Sequence, residues 1–234
     1  MKFFVGTSAF SEPKWKGSFY PEKLPAKEML KYYAERFNAV EINSSFYRMP
    51  SASSLKPWLA DVPKGFQFTF KAPQAITHFK RLKDAEEPTQ TFIQETAALG
   101  AQRGPLLFGL PPNFKKDIPR LRGFLRKLPK GTKAAFEFRN MSWFDDETFD
   151  CLRAHGCALC TNDDEEESPW TKLEPTTDWG YLRLRRRAYT TKALAAWIKN
   201  LKAQKWREAY VFFRHEETGT GPKLAARFLK LAGD

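Results

Sequence analysis

The sequence has few cysteines and no long apolar run. Three cysteines among 234 residues indicate a reducing compartment and exclude a disulfide scaffold. No stretch approaches the roughly 20 apolar residues that a membrane-spanning helix needs. The first ten residues, M-K-F-F-V-G-T-S-A-F, lack a small-residue cleavage site and are typical of a first strand. We therefore expect a cytoplasmic protein with no membrane partner.

Nucleotide-binding signatures are also missing. The first strand is not followed by G-x-G-x-x-G, and the chain has no P-loop, which argues against a dinucleotide-binding or P-loop fold. The pair Cys157 and Cys160 has C-x-x-C spacing, but residues three apart on a strand face opposite sides. Since no second pair completes a zinc site, we predict no metal or redox role for them and no cofactor.

Short apolar runs alternate with helical patterns along the whole chain. The predicted strands are 3–7, 39–43, 66–71, 106–110, 135–139, 157–161, 181–185 and 210–213. The predicted helices are 26–37, 91–99, 118–128, 145–154, 190–201 and 223–231. Pro57 interrupts a further helical stretch at 51–59 and makes it doubtful.

About eight strand-helix units in one chain favour an α/β fold, a single (β/α)₈ TIM-type barrel. We assign residues 1–234 to one domain, with irregular or missing helices, because no linker or low-complexity tract divides the chain. A doubly wound open sheet is the competing fold, and the missing glycine fingerprint disfavours it.

Several strands carry one apolar and one polar face. Phe136 and Phe138 alternate with Glu137 and Arg139 in the stretch A-A-F-E-F-R-N. The same alternation separates polar from apolar side chains at 40–43, 66–71 and 181–185. In a barrel the apolar face packs under the helices, so the polar face must point into the lumen.

The inward set lies near the carboxyl ends of strands, where barrel active sites are found. Its members are Glu41, Asn43, Lys71, Glu137, Arg139, Arg183 and Arg185. Two interpretations stay open. Either these charges satisfy one another in a structural network, or the excess of cations over the two carboxylates binds an anion such as phosphate or a carboxylate.

Other residues are predicted to reach the same mouth. Thr7 and Ser8 end the first strand with hydroxyl groups that suit an oxyanion. His78 and His215 follow strand ends and are acid-base candidates. A glycine turn at 219–221 opens the last helix, where barrels often bind phosphate.

Six segments together resemble one family. They are G-T-S-A-F-S-E-P-K-W-K-G-S-F-Y-P at 6–21, V-E-I-N-S-S-F-Y-R-M-P at 40–50, F-T-F-K-A-P-Q-A-I-T-H at 68–78, L-P-P at 110–112, A-F-E-F-R-N-M-S-W-F at 135–144 and Y-L-R-L-R at 181–185. Their order over nearly the whole chain resembles the YecE-like family of bacteria and archaea, domain of unknown function 72. The resemblance implies a TIM barrel and no established reaction.

The resemblance also implies a set of residues around the mouth. They are Glu41, Asn43, Tyr47, Arg48, Lys71, His78, Glu137, Arg139, Trp143 and Arg183. The chain departs from the family pattern at several places. Gly109 stands where glutamine is frequent, Asn140-Met141 where His-Pro is frequent, and Arg185-Arg186 where His-Gly is usual. These departures argue against histidine-dependent chemistry and make the mouth more basic.

We carry three functions forward. The first is an enzyme that binds a phosphorylated or nucleic-acid substrate, with Glu41 or Glu137 as general base, His78 or His215 as general acid, and phosphoester hydrolysis as one reaction. A single divalent ion on Glu41 and Glu137 is a variant that the adjacent cations disfavour. The second is a non-catalytic module that binds nucleic acid or protein. The third is a sugar-phosphate isomerase, lyase or aldolase in which Lys71 forms a Schiff base.

The formal net charge is +12, which favours polyanions and phosphorylated ligands as partners. A basic protein of this kind also gains solubility from the charge alone, so the charge does not choose among the three functions. The sequence leaves the substrate and the oligomeric state open.

Overall fold

Parallel strands form the centre of the molecule. The computed structural model describes residues 1–164, 170–214 and 218–233, and these contain eight strands in one sheet, in the order β1-β8-β7-β6-β5-β4-β3-β2. The strands are β1 Lys2–Thr7, β2 Ala39–Ile42, β3 Gln67–Lys71, β4 Arg103–Gly109, β5 Ala134–Glu137, β6 Ala158–Asn162, β7 Trp179–Leu184 and β8 Glu208–Phe213. The predicted α/β barrel fold is confirmed.

Helices connect most of the strands. In the described ranges they are α1 Met29–Ala34, α2 Ala52–Leu55, α3 Glu86–Thr96, α4 Ile118–Lys127, α5 Asp146–Ala154, α6 Thr191–Lys202 and α7 Thr220–Ala232. The doubtful stretch at 51–59 is helical but irregular, because α2 passes into a 3₁₀ turn, Lys56–Ala60, that holds Pro57. The described residues between β6 and β7 contain no helix, as the expectation of missing helices allows. No helix among the described residues has the length and apolar character to cross a bilayer.

Side chains close the barrel where β1 meets β2. The backbone N–H of Val5 donates to Asn38 Oδ1 at 2.7 Å, and Asn38 Nδ2 donates to the carbonyl of Phe3 at 2.8 Å. The hydroxyl of Tyr33 accepts from Thr7 N at 2.7 Å and donates to the carbonyl of Ala39 at 3.1 Å. These bonds replace a backbone ladder, so the barrel is nearly closed.

Gly6 permits this close approach of β1 to β2. A Cβ atom on Gly6 would lie 1.9 Å from the carbonyl oxygen of Ala39 and 2.5 Å from the Tyr33 hydroxyl. Any larger residue would push the two strands apart and break the Tyr33 bridge, because these are contacts with a backbone and a fully buried ring.

The two faces of the strands differ as predicted. Phe68, Phe70 and Phe136 belong to the large apolar layer between the sheet and the helices. Inside the barrel, Phe4, Tyr181 and Tyr210 belong to a second, smaller cluster. Two layers of this kind are the usual construction of a TIM barrel. Cys157 belongs to the outer layer and Cys160 to the inner cluster, so the two thiols lie on opposite sides of the sheet, as their spacing predicts.

The amino-terminal floor of the barrel is aromatic. Phe4 stacks on Tyr210 with ring centroids 4.8 Å apart, and Trp179 meets Tyr210 edge-on at 6.0 Å. Lys133 lies beside these rings, with its Nζ 5.2 Å from the Trp179 centroid, and forms a salt bridge with Glu208. The charge of Lys133 is therefore paired.

Candidate functional site

Arg183 joins two carboxylates across the upper lumen. It projects from β7, and its Nη2 donates to Glu41 Oε1 on β2 at 2.9 Å. Its Nη1 donates to Glu137 Oε1 on β5 at 2.8 Å. All three residues are 0% exposed. The prediction that these side chains converge inside the barrel is confirmed by their contacts.

Two neutral side chains complete this buried network. The Tyr181 hydroxyl donates to Glu41 Oε2 at 2.7 Å, and Asn162 Nδ2 donates to Glu137 Oε1 at 2.7 Å. Sequence reasoning did not assign either to the site. Tyr181 could have been found, because it lies two residues before Arg183 on the same strand face. Asn162 ends β6, and its sequence carried no comparable signal.

Both carboxyl groups stay ionised at neutral pH. Burial alone raises the pKa of Glu137, but Arg183 first, then Arg139 and Lys71, outweigh burial and hold the pKa of Glu137 well below its usual range. Burial also raises and Arg183 lowers the pKa of Glu41, and the result again lies below the ordinary value. Carboxylates with lowered pKa are weak bases, so neither suits the predicted general-base role.

A cavity of about 870 Å³ opens above this network, at the carboxyl ends of the strands. Its lining residues are Ser8, Ala9, Phe10, Ser11, Glu12, Ile42, Asn43, Ser44, Phe46, Tyr47, Trp58, Lys71, His78, Arg139 and Arg185. Among these described residues the cations outnumber the carboxylates by three to one. Arg139 also reaches down to Glu137, with Nη2 3.5 Å from Oε2, so it connects the cavity to the network.

Lys71 has an unusual environment in this cavity. Its Nζ lies 4.2 Å from the centroid of the Phe46 ring, and none of the described residues forms a hydrogen bond or salt bridge with it. Burial, followed by the charge of Arg183, lowers the pKa of Lys71 to about 8, although Glu137 opposes the shift. Lys71 is therefore partly unprotonated just above neutral pH.

His78 is neutral at neutral pH. Burial, followed by the charges of Lys71 and Arg139, lowers the pKa of His78 to about 4. Its Nδ1 lies 3.0 Å from Thr77 Oγ1, and its ring meets Phe46 edge-on at 4.8 Å. A neutral imidazole accepts protons, so its state does not suit the predicted general-acid role.

Asn43, Tyr47 and Ser8 line the cavity as predicted. Asn43 Nδ2 donates to the carbonyl of Ser8 at 3.0 Å, and this bond ties the loop after β1 to the end of β2. Tyr47 stands at the rim with 76% of its side chain exposed. His215, a predicted catalytic residue, lies outside the described residues.

Three predicted binding residues lie elsewhere. Trp143 is 0% exposed, stacks on Phe138, and donates its indole N–H to the carbonyl of Phe114 at 2.8 Å. The Thr7 hydroxyl is also buried and donates to the carbonyl of Ala9 at 2.6 Å. Arg48 is exposed and does not line the cavity. Tertiary packing of the loops decides these positions, and strand alternation does not reach them.

Glu12, Phe46 and Trp58 line the cavity without having been predicted as site residues. Phe46 and Tyr47 share the turn after β2, so position alone could have indicated Phe46. Trp58 comes from the 3₁₀ turn after α2 and packs edge-on against Phe10 at 5.5 Å. No sequence signal places a residue from that turn at the mouth.

The carboxylates do not fit a metal ion. Oxygen atoms of Glu41 and Glu137 accept hydrogen bonds from a guanidinium that lies between them. A divalent cation would have to displace that positive charge. The described part of the chain holds no cluster of three or more His, Cys, Asp or Glu side chains with metal-binding geometry.

A (β/α)₈ barrel with an ionic network and a basic cavity at the carboxyl ends of its strands defines the class of this protein. The chain belongs to the family described as "Protein of unknown function DUF72", whose model matches residues 4–234. It is 27% identical over 215 residues to the UPF0759 protein YunF of Bacillus subtilis. This match covers 86% of this chain and 75% of YunF. It is 28% identical over 142 residues to YecE of Escherichia coli K12, covering 60% of this chain and half of YecE.

Solved structures agree with this family. A DUF72 family protein from Thermotoga maritima superimposes with a TM-score of 0.85 at 29% identity, over 100% of both chains. Another from Enterococcus faecalis gives 0.82 at 19% identity, over 99% of this chain and 96% of that one. A D-psicose 3-epimerase from Clostridium cellulolyticum gives 0.57 at 12% identity, over 99% of this chain and 96% of that one, and shares only the fold.

Proposed function

We propose that this protein is an enzyme that binds a small anionic substrate in the mouth cavity. One observation carries the proposal. The buried carboxylates of Glu41 and Glu137 are held by Arg183, whereas the described cavity wall contains Lys71, Arg139 and Arg185 against the single carboxylate of Glu12. A ligand entering the cavity therefore meets an excess of positive charge.

Phosphate and carboxylate groups fit this wall best. Arg139 and Arg185 offer planar guanidinium groups, which bind both kinds of oxyanion in a bidentate manner. The volume of about 870 Å³ lies within the range of small-molecule sites. Phe46 and Trp58 add apolar wall on which the uncharged part of a substrate can pack.

Lys71 is the group in the cavity best suited to acid-base chemistry. Its pKa of about 8 lies close to neutral pH, and an effective acid or base needs such a value. Phosphoester hydrolysis, one of the predicted reactions, would need a base that activates water. Glu41 and Glu137 are poor candidates for that task because both are buried and weakly basic. We therefore assign proton transfer to Lys71 and rank hydrolysis lower.

Titration calorimetry with inorganic phosphate, sugar phosphates, nucleotides and short carboxylates tests anion binding. Arg139→Gln should weaken binding about tenfold or more, because it removes a charge-assisted hydrogen bond. Arg207→Gln is the matched control, since Arg207 is an exposed arginine at the floor, paired with Asp178. No binding by any anion, or equal losses in both variants, would contradict the proposal.

The non-catalytic nucleic-acid module remains a second candidate. Tyr47 and Phe79 are 76% and 74% exposed, and exposed aromatic rings on a basic surface suit stacking with bases. Short oligonucleotides titrated at several salt concentrations distinguish the two candidates. A steep salt slope that Arg139→Gln leaves unchanged would favour the module, because the contacts would then lie outside the cavity.

A further inference from the structure

The Lys71 side chain meets the steric and electrostatic conditions for a nucleophilic amine. An amine attacks carbon only when its lone pair is neither protonated nor engaged. Lys71 Nζ faces the Phe46 ring at 4.2 Å and has no hydrogen bond or salt bridge with any residue that the structure describes. The face of an aromatic ring offers no hydrogen-bond donor to the amine lone pair, although it attracts the ammonium form weakly.

The buried network explains why Lys71 lacks a carboxylate partner. Arg183 donates to both oxygens of Glu137, at 2.8 and 3.0 Å, and to both oxygens of Glu41. Those carboxylates are thus satisfied by a guanidinium that cannot lose its proton. Lys71 instead has Arg183 and Arg139 as positively charged neighbours, and Arg185 lines the same cavity.

The groups that face Lys71 come from several strands. Arg183 belongs to β7, Glu137 to β5 and Glu41 to β2, and Arg139 follows β5. Burial and the two arginines lower the pKa of Lys71, the two carboxylates raise it, and the balance is about 8. About a tenth of the amine is therefore unprotonated at pH 7, and about half at pH 8.

The absence of a side chain at Gly109 keeps Lys71 uncrowded. A Cβ at Gly109 would lie 3.5 Å from Lys71 Cε and 3.0 Å from Glu137 Oε2, so a larger residue would press on both side chains. His78, which is neutral, packs edge-on against the same Phe46 ring that Lys71 contacts.

We propose that Lys71 forms an imine with the carbonyl carbon of an anionic aldehyde, ketone or keto acid whose phosphate or carboxylate is held by Arg139 and Arg185. The inference rests on the proposed anion site. It deepens that site by naming the substrate class, which is a carbonyl compound with a phosphate or carboxylate group.

The reaction balances without an oxidant or reductant. The Nζ lone pair forms a C–N bond while the carbonyl π pair moves to oxygen, which takes up a proton to give the carbinolamine. Nζ then loses a proton, the hydroxyl is protonated and leaves as water, and a C=N bond forms. A protonated imine withdraws electrons from the neighbouring carbon, so it serves an isomerase, lyase or aldolase.

Borohydride trapping tests the imine. The protein is incubated with pyruvate or with dihydroxyacetone phosphate, reduced with sodium borohydride, digested and mapped by mass spectrometry. Hydride adds to the imine carbon and leaves a stable secondary amine on the lysine. We expect at least one of the two probes to label Lys71 in the wild type and to lose that label in Lys71→Arg.

Lys133→Arg is the matched control. Lys133 is also partly buried beside aromatic rings, but its amine is held by Glu208, so this variant should be labelled like the wild type. Labelling should be about tenfold slower in Arg139→Gln and should speed up as the pH rises to about 8. Two results would overturn the imine. One is a label that lies on surface lysines and is equal in the wild type and in Lys71→Arg. The other is the absence of label on Lys71 with either probe.

Phosphate calorimetry on the same wild-type sample separates the two proposals. Phosphate binding without any Lys71 label would refute the imine and leave the anion site standing. Absence of both phosphate binding and label would refute both. A third result would contradict the claim that arginine residues hold the substrate. In that result both probes label Lys71, and neither excess phosphate nor Arg139→Gln slows the labelling.

Discussion

The two ends of the barrel each contain a partly buried lysine, and the charged groups around the two lysines differ. At the floor, Lys133 lies 5.3 Å from the Tyr210 ring and is paired with Glu208. At the mouth, Lys71 lies 4.2 Å from the Phe46 ring and has cations around it. Both amines sit beside aromatic rings, and burial lowers the pKa of both. The difference lies in the carboxylate partners. At the floor Glu208 pairs with Lys133, whereas at the mouth Glu41 and Glu137 pair with Arg183.

This difference separates a lysine that has a carboxylate partner from one that has none among the described residues. Aromatic side chains fill the lumen at the floor, and the burial of their apolar surface stabilises the fold. The mouth instead buries two carboxylates and an arginine, and buried ion pairs bring little net stability. The ionic layer therefore brings the fold less net stability than an apolar layer of similar volume would.

The largest expected effect is the removal of the central cation. Arg183→Met should lower the free energy of unfolding by about 3–5 kcal/mol, because it leaves two buried carboxylates without their guanidinium. Lys133→Met at the floor should cost no more than about 1 kcal/mol, since that pair is partly exposed. Urea denaturation measures both, with Arg183→Lys as a charge-preserving variant if the methionine variant does not fold. Equal losses would remove the distinction between the two ends.

The next effect is expected at the mouth. Lys71→Met should raise the free energy of unfolding at pH 7 by about 1–3 kcal/mol, whereas Lys133→Met should change it by no more than about 1 kcal/mol. The folded-state pKa of Lys71, about 8, lies below its ordinary value of 10.5, so a protonated Lys71 destabilises the fold at pH 7. The gain from Lys71→Met should therefore shrink as the pH rises from 8 towards 10.5. Denaturation at pH 7 and pH 10 checks it, and a stability loss at pH 7 would show that Lys71 has a partner.

The pH dependence of anion affinity should arise from the titration of Lys71 in the mouth cavity. Phosphate should bind about three- to tenfold more weakly at pH 9 than at pH 7, because Lys71 loses its charge near pH 8. The ionisation of phosphate itself works in the other direction, so a sulfate titration serves as the reference anion. Calorimetry should show no such decline for Lys71→Met and an unchanged decline for Lys133→Met. A decline that survives in Lys71→Met would assign the titration to another group.

The smallest effect compares two glycines on β4. A Cβ at Gly109 would lie 3.0 Å from Glu137 Oε2, and one at Gly104, nearer the floor, would lie 2.9 Å from Thr69 Cγ2. Each alanine variant should lose about 1 kcal/mol of stability. Only Gly109→Ala should slow borohydride trapping of Lys71, by about two- to fivefold, because only its methyl group would contact Lys71 Cε. Equal trapping rates in the two variants would contradict this contact.

Strand alternation predicted most of the fold and the direction of the polar side chains. The eight predicted strands overlap the observed ones, and Glu41, Glu137 and Arg183 meet inside the barrel because a period of two fixes which face a residue occupies. Alternation cannot identify partners. It left open whether Lys71 or Arg183 neutralises the carboxylates, and only the relative positions of β2, β5 and β7 decide that question.

Loop and seam residues lay beyond sequence reasoning. Trp143 was expected at the mouth, but loop packing buries its ring against Phe138. The bridges from Tyr33 and Asn38 that join β1 to β2 depend on a close strand approach that no local pattern encodes. The neutral state of His78 likewise depends on burial and on cations brought in from other strands.

A crystal soaked with tungstate provides the most direct measurement of the mouth as an anion site. The structure predicts anomalous density within hydrogen-bonding distance of Arg139 and Arg185, close to Lys71, and none beside Lys133. Density confined to the outer surface or to the floor, with an empty mouth, would contradict the assignment of the cavity to an anionic substrate.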